Sequence, residues 1–450
     1  MNFISRRSFL RVGAGLGTAA WAGGLGRFGL LNALTPAASD YRALVCVFLF
    51  GGNDSNNMIV PMDSQSFNAY TNVRKGLALS GSSLLQVQTP SQAIYGFHPN
   101  LGGLQKLFQA QKLAVVANVG TLVQPLTRSL YLNNQSLAPA NLFSHADQQM
   151  QWQTTTSRGV SNTGWGGRLA DAMAGANPSG SLPTFISIAG NIIQGSGGQT
   201  SPATVVPGAA LGLQGFNSSA ASQARLNSMQ ELLTFDTGAT LIQQASATLQ
   251  QGIANDATLS KALAGAAPLK TAFPSGNNLA AQLQQVAKII QVRAALGMNR
   301  QIFFCSISSF DTHSSQISDQ GALFTQVAAA MSAFDEATQE LGVEGSVVTF
   351  TESDFSRTFM PNTNGGSDHA WGSHHLVMGG AVKGGDIYGT FPEFAIGGPD
   401  DVGEGRWIPG FSVDQYGATM AEWFGAPAAQ LYTVFPNLPA FSVQNLGFLG

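Results

Sequence analysis

Acids and imidazoles collect at a few points of this 450-residue sequence. Asp54 follows Gly51-Gly52-Asn53. Asp311 and His313 stand two apart in Phe310-Asp311-Thr312-His313. Glu352 and Asp354 follow a β-branched run, and Asp368-His369 and His374-His375 come soon after. The chain has only 6 histidines, His98, His145, His313, His369, His374 and His375, and four of them fall between residues 313 and 375. Carboxylate oxygen with imidazole nitrogen is the ligand set of zinc, manganese or iron. Two such cations a few ångström apart can clamp a phosphoryl or sulfuryl group.

Each residue also has an ordinary structural reading. Asp-x-His at a strand end is a short pattern that arises by chance. Asp54 after Gly-Gly-Asn suits a turn or a helix cap. His374 and His375 face opposite ways if extended, so at most one would reach a common site. Ser144 precedes the helix-like His145-Ala146-Asp147-Gln148. A serine there caps the helix, or acts as a nucleophile where helix N–H groups steady an anion. His145 is open between ligand, acid/base group and cap partner. Arg128 and Arg357 could each bind an anionic substrate or make a structural salt bridge. His98, before Pro99-Asn100, reads as a capping element.

Strands must carry these residues to one place. Ala43 to Phe50 is unbroken apolar and β-branched, as in a strand buried on both faces of a parallel sheet. Residues 100–111 have helical spacing and Leu113 to Asn118 reads as the next strand, a parallel-sheet unit. Further strands are predicted at 185–189, 302–307, 346–351 and 376–382, with helices at 144–152, 165–174, 321–341 and 414–424. Residues 220–300, rich in Ala, Leu and Gln, predict two or three helices. The order implies one doubly wound α/β domain with a mostly parallel sheet flanked by helices, over 39–450, with a helical insertion at about 217–300. Ligands of such sheets bind beyond the carboxyl ends of the strands. Asp54, Asp311, His313 and Asp354 all fall at such ends.

Composition narrows the function. Charged residues make up 10% of the chain, against about 25% in an ordinary soluble domain. The formal charge is −3, with no Lys/Arg run beyond the N-terminus, so nucleic acid is not an expected partner. There is no phosphate loop, no Gly-x-Ser-x-Gly elbow and no Cys-x-x-Cys. The 2 cysteines, Cys46 and Cys305, lie in predicted central strands and read as buried free thiols.

The N-terminus reads as an address. Ser5-Arg6-Arg7-Ser8-Phe9-Leu10-Arg11 precedes a glycine-rich apolar stretch and the small residues Thr35 to Ser39. This resembles a twin-arginine signal over residues 1–38. The glycines and Arg27 make it a poor membrane span, and no later run is long enough for one. Cleavage would remove four arginines and no acid. The expected product is periplasmic or secreted, with the twin-arginine export machinery as a partner.

Several blocks together carry a wider resemblance. They are LVCVFLFGGNDSNNMIVP (44–61), FHPNLGGLQKLFQ (97–109), FSHADQQMQWQT (143–154), GWGGRLAD (164–171), FDTHSSQ (310–316), TESDFSRT (351–358) and GGSDHAWGSHHLVMGGAVKGG (365–385). In that order they resemble the exported bacterial family known as domain of unknown function 1501, usually placed near the alkaline phosphatase and sulfatase superfamily. The resemblance implies a doubly wound sandwich with metals at the strand ends. By position it implies Asp54 as the first metal acid, Asp311 and His313 as a pair on one metal, and Asp354 as a later acid. His369 or His374/His375 would be the late histidine, and Ser144 the nucleophile. This chain departs from phosphatases where Phe355 replaces the expected histidine, and it lacks the sulfatase Cys/Ser-x-Pro-x-Arg signature.

The combined expectation is a metal-dependent hydrolase of a phosphate or sulfate ester. Asp54, Asp311, His313, Asp354, Asp368, His369 and His374 are its candidate ligands for zinc, manganese, iron or calcium. Ser144, His145 and Arg357 are its candidate catalytic groups. The alternative expectation is a non-catalytic binding protein on the same fold, with a polysaccharide or envelope partner.

Overall fold

In the computed structural model the central strand is β1 (Arg42–Leu49), and every residue from Ala43 to Leu49 is buried. Alternate side chains of β1 enter two different cores. Ala43, Val45, Val47 and Leu49 join one, and Leu44, Cys46 and Phe48 the other. That explains why the run is continuously apolar, since both faces are covered. Helices Asn278–Gln291 and Gln316–Glu340 cover the first face. Helices Trp165–Ala172 and Val413–Phe424 cover the second. Each large apolar side chain buried this way contributes roughly 1.5–3 kcal/mol.

The sheet has nine strands. Beside β1 lie β8 (Arg300–Ile307) and β9 (Val347–Ser353), both parallel to it. Beyond β8 come β6 (Phe185–Ser187) and β7 (Ala203–Thr204), also parallel. Beyond β9 comes β10 (Ser373–Met378), antiparallel to it, then β5 (Leu113–Gly120). The short β11 (Ile387–Tyr388) and β12 (Phe411–Ser412) pair with β5. This is the doubly wound, mostly parallel α/β fold. A second small antiparallel sheet, β2 (Ile59–Pro61), β4 (Ile94–Phe97) and β3 (Leu85–Gln88), was not anticipated. Its strands are too short to show a period of two.

The structure describes residues 40–208, 216–235 and 238–450; the twin-arginine segment lies outside them. Tyr41–Gly450 form one compact unit. Between β7 and β8 stand three helices, Ala220–Thr234, Thr240–Ala264 and Asn278–Gln291. The first two each bury a single residue, Ser222 and Leu259. The third buries Leu279, Leu283, Val286 and Ile290 in the main core. Cys46 and Cys305 are both free and buried, on opposite faces of adjacent strands. Among the described residues no helix is long and apolar enough to cross a membrane.

Candidate metal centre

The carboxyl ends of β1, β8 and β9, three neighbours at the middle of the sheet, define the site. After β1 the chain turns through Gly51 at φ 112° and Gly52 at φ 82°. A Cβ on Gly51 would lie 2.5 Å from the Asp311 amide nitrogen, so only glycine lets the two strand-end loops pack this closely. The loop after β8 brings Asp311 and His313. The segment after β9 brings Asp354 and Arg357, and Arg357 forms an isolated antiparallel bridge with His369. His145 opens the His145–Thr154 helix from outside the sheet.

Three imidazoles converge on one carboxylate oxygen. From Asp311 Oδ1, His313 Nε2 lies at 3.0 Å, His369 Nε2 at 3.3 Å and His145 Nε2 at 3.4 Å. His313 and His369 face each other Nε2 to Nε2 at 3.0 Å. Each ring is fixed from behind through Nδ1: His145 by Asp354 Oδ2 at 2.7 Å, His313 by Asp368 Oδ1 at 2.9 Å, and His369 by the Phe143 carbonyl at 2.7 Å. All three partners are acceptors, which assigns the proton of each neutral ring to Nδ1. The three Nε2 lone pairs then point inward, and His145 Nε2 is buried without a hydrogen-bond partner.

This is how metal-binding imidazoles are held, with the far nitrogen oriented by a carboxylate or carbonyl. Ligands about 2.0–2.1 Å from a tetrahedral cation are separated by about 3.3–3.4 Å. The spacings of His145 and His369 from Asp311 match this, and these three residues form a compact possible metal site. His313 adjoins Asp311 and His369 on the exposed side, its side chain 42% accessible. The residues present therefore fit a divalent cation, whose identity the donor set leaves open.

The surroundings tune these groups. Burial pushes the Asp311 carboxyl up, but the Arg357 guanidinium bonded to it reverses this and holds it at about 2. The bond it donates to Asp354 raises His145 above its ordinary value. Burial lowers His369, reinforced by the charge of Arg357. Asp354, fully buried, also accepts from Gln149 Nε2 at 2.8 Å and the Gly51 amide at 3.2 Å.

Other expected residues have different partners. Asp54 does not reach the centre. It caps the Ser55–Met58 helix, pairs with the fully buried Arg74, and accepts from Gln316 Nε2 at 2.5 Å and Asn56. These donors, a guanidinium among them, engage both oxygens of its carboxylate. Ser144 is a cap whose Oγ donates to Asp147 Oδ2 at 2.6 Å, which ties up the expected nucleophile. His374 lies inside β10, because that strand begins at Ser373 and not at Leu376. Its Nδ1 accepts from the Asn118 amide, its ring packs on Phe391, and burial lowers it to about 3. His375 faces Trp152 and Tyr416. Asp354 and Asp368 stand behind imidazoles rather than at the centre. Arg357 is fully buried, donating to the Gly51, Gly52 and Ser367 carbonyls and Asp311, so it positions Asp311 and does not meet a substrate. Arg128 donates to the Asp401 carbonyl. His98 caps the turn Pro99–Leu101.

Other contributors escaped the sequence reading. Gln149 was legible in principle, four residues after His145 on the same helical face. Nothing in sequence pairs Arg74 with Asp54. Arg406, whose Nε donates to the His369 carbonyl at 2.9 Å and whose guanidinium sits 5.1 Å over the Phe143 ring, arrives from a distant loop.

Comparison with known proteins adds the following. No curated protein matches the chain. Its structural neighbours are sulfatases and alkaline phosphatase-like enzymes. Ps i-CgsB, solved in complex with k-i-k-neocarrahexaose, is similar at 10% identity over 87% of this chain and 73% of its own, with a TM-score of 0.35. The PsFucS1 sulfatase from Pseudoalteromonas sp. is 9% identical over 79% and 65%, at 0.31. The phosphonate monoester hydrolase of Agrobacterium radiobacter is 10% identical over 86% and 74%, at 0.32. Such distant likeness does not carry an activity across, because function resides in the site and not the fold. Residues 41–404 match the family of proteins of unknown function DUF1501, and the chain belongs to that family.

Proposed function

We propose that this chain is an exported hydrolase of a phosphate or sulfate ester, built around one divalent cation. One observation carries the reading: three imidazole Nε2 atoms and Asp311 Oδ1 converge while every Nδ1 is held by an acceptor. Two Nε2 lone pairs 3.0 Å apart repel unless a proton or a cation lies between them. His145, His369 and Asp311 would hold the cation, with His313 beside them. When bound, the cation would polarise an ester oxygen and lower the pKa of an attacking water.

The chain's own residues supply the rest. Asp354 and the Phe143 carbonyl keep the His145 and His369 rings aimed. Arg357 keeps Asp311 ionised. Arg406, paired with Glu404 and 22% accessible at its side chain, is the cation placed to neutralise an arriving ester. With Ser144 engaged as a cap, water and not a side chain is the attacking group.

The binding-protein reading is also favoured by a specific observation. Asp54 is engaged by Arg74 and the Ser144 hydroxyl by Asp147, which leaves fewer groups free for chemistry. Elemental analysis of the mature protein, with phosphate and sulfate ester screens, tests both. One equivalent of metal lost in Asp311→Ala, with ester turnover, supports the hydrolase. Metal without turnover supports the binding protein, and no metal overturns the hydrolase while leaving the binding protein standing. Export rests on the Ser5 to Arg11 string. Replacing Arg6 and Arg7 by Lys should retain the protein in the cytoplasm on fractionation.

A further inference from the structure

Beside the centre lies a cavity of about 560 Å³, within the range of small-molecule sites. Its wall runs directly into the metal ligands. Phe143 lines it and also holds His369 through its carbonyl. Asn141 lines it and donates to Asp147, whose other oxygen takes the Ser144 hydroxyl next to His145. Asn141 and Phe143 both have left-handed backbones, at φ 49° and 72°. For a bulky residue such as phenylalanine that conformation is strained and persists only when the surroundings impose it. Here it accompanies a Phe143 carbonyl that meets the back of the His369 ring.

The lining chemistry is selective. It holds no aspartate or glutamate. Two aromatic rings, Tyr131 and Phe143, stand with the amides of Gln135 and Asn141, the hydroxyl of Ser136 and the guanidinium of Arg158, whose Nε and Nη2 are held by the Ala138 carbonyl. Tyr131 packs on Trp371, two residues beyond the ligand His369. Aromatic faces stack on the C–H faces of sugar rings, amides and hydroxyls exchange hydrogen bonds with ring hydroxyls, and the remaining Nη1 of Arg158, steadied by that anchor, can donate to an anion. An acid-free wall admits negative charge.

We propose that this cavity is the leaving-group subsite and that it takes a saccharide carrying an anionic ester, with Arg158 reading a further anionic group on the sugar. This rests on the hydrolase reading, whose substrate is otherwise defined only by its ester. Sulfated and phosphorylated saccharides share the required chemistry.

The test is calorimetric titration of zinc-loaded mature protein with three probes: a sulfated tetrasaccharide, a phosphorylated tetrasaccharide and the unmodified tetrasaccharide. The variants are Ser136→Trp, which fills the cavity from its exposed wall, and Arg158→Gln. Zinc content is measured on every sample, so loss of folding or of the centre is seen independently. The expected result is that wild type binds at least one anionic tetrasaccharide at least tenfold more tightly than the unmodified one. Ser136→Trp should weaken that binding at least tenfold at unchanged zinc content, and Arg158→Gln should remove most of the preference for the anionic form. The arm that binds tells sulfate from phosphate. Unchanged binding by Ser136→Trp, or no anionic preference in wild type, overturns the subsite while leaving the metal centre standing. Saccharide binding that Ser136→Trp abolishes in a protein that takes up no zinc overturns the hydrolase and keeps the saccharide site.

Discussion

Replacing Asp54 separates the observed site from the one the resemblance implies. Arg74 is fully buried, and Asp54 is its carboxylate partner. Among the described residues the guanidinium otherwise bonds the Thr358 and Phe359 carbonyls, at 3.4 and 3.3 Å, lies 6.0 and 5.8 Å over the Tyr70 and Phe359 rings, and has an unpartnered Nε. Asp54→Ala leaves this charge uncompensated, which costs about 3–5 kcal/mol in comparable buried pairs. A lost helix cap adds about 1 kcal/mol. For a unit of about 410 residues the unfolding entropy is about 0.9 kcal/mol/K, so the melting point should fall by about 4–7 °C. Calorimetry and elemental analysis on the same sample check both halves. Asp54→Ala should melt earlier at unchanged metal content, and Asp54→Ala with Arg74→Met should recover part of the loss, since the stranded charge is then gone. An Asp54→Ala protein that melts as wild type but has lost its metal would refute the reasoning and return Asp54 to the ligand set.

Asp311→Ala and His145→Ala should abolish stoichiometric metal binding, read by elemental analysis. Asp354→Asn should weaken metal affinity about 10–100-fold, because the His145 ring loses its orienting carboxylate; competition with a chelator measures this. Glu352 is fully buried, and burial raises it to about 8 despite bonds from Cys46 and Gln194. Its neutral form is favoured in the fold, so its contribution is fully present below about pH 4.5 and is lost as pH rises through about 8. Glu352→Gln should therefore gain stability over wild type between those limits, by up to about 5 kcal/mol at the upper end, and denaturant titrations at pH 5 and pH 8 would show it. Equal differences at the two pH values would mean the carboxyl is not neutral in the fold.

What the sequence could show depended on how locally each feature is determined. β1, β8 and β9 were legible because burial on both faces demands an unbroken apolar run, and strand ends in a parallel sheet point to the site. Asp311 and His313 follow from those ends, and His369 from the histidine cluster after β9. Where a side chain points within a loop is decided by its partner, and partners from distant segments leave no local trace. Asp54 sits where a ligand acid would, yet Arg74 and Gln316, from two separate helices, claim its carboxylate. His374 looked like a loop ligand because its strand begins earlier than its apolar residues suggest; it is held by pairing of β10 with β5, which a polar side chain does not advertise. His145 shows the reverse. It stands on a helix outside the sheet, with ambiguous local chemistry, and only the fold brings Asp354 behind it and Asp311 in front. Residues distant in sequence thus decide what a strand-end acid does, and for Asp54 they are Arg74 and Gln316.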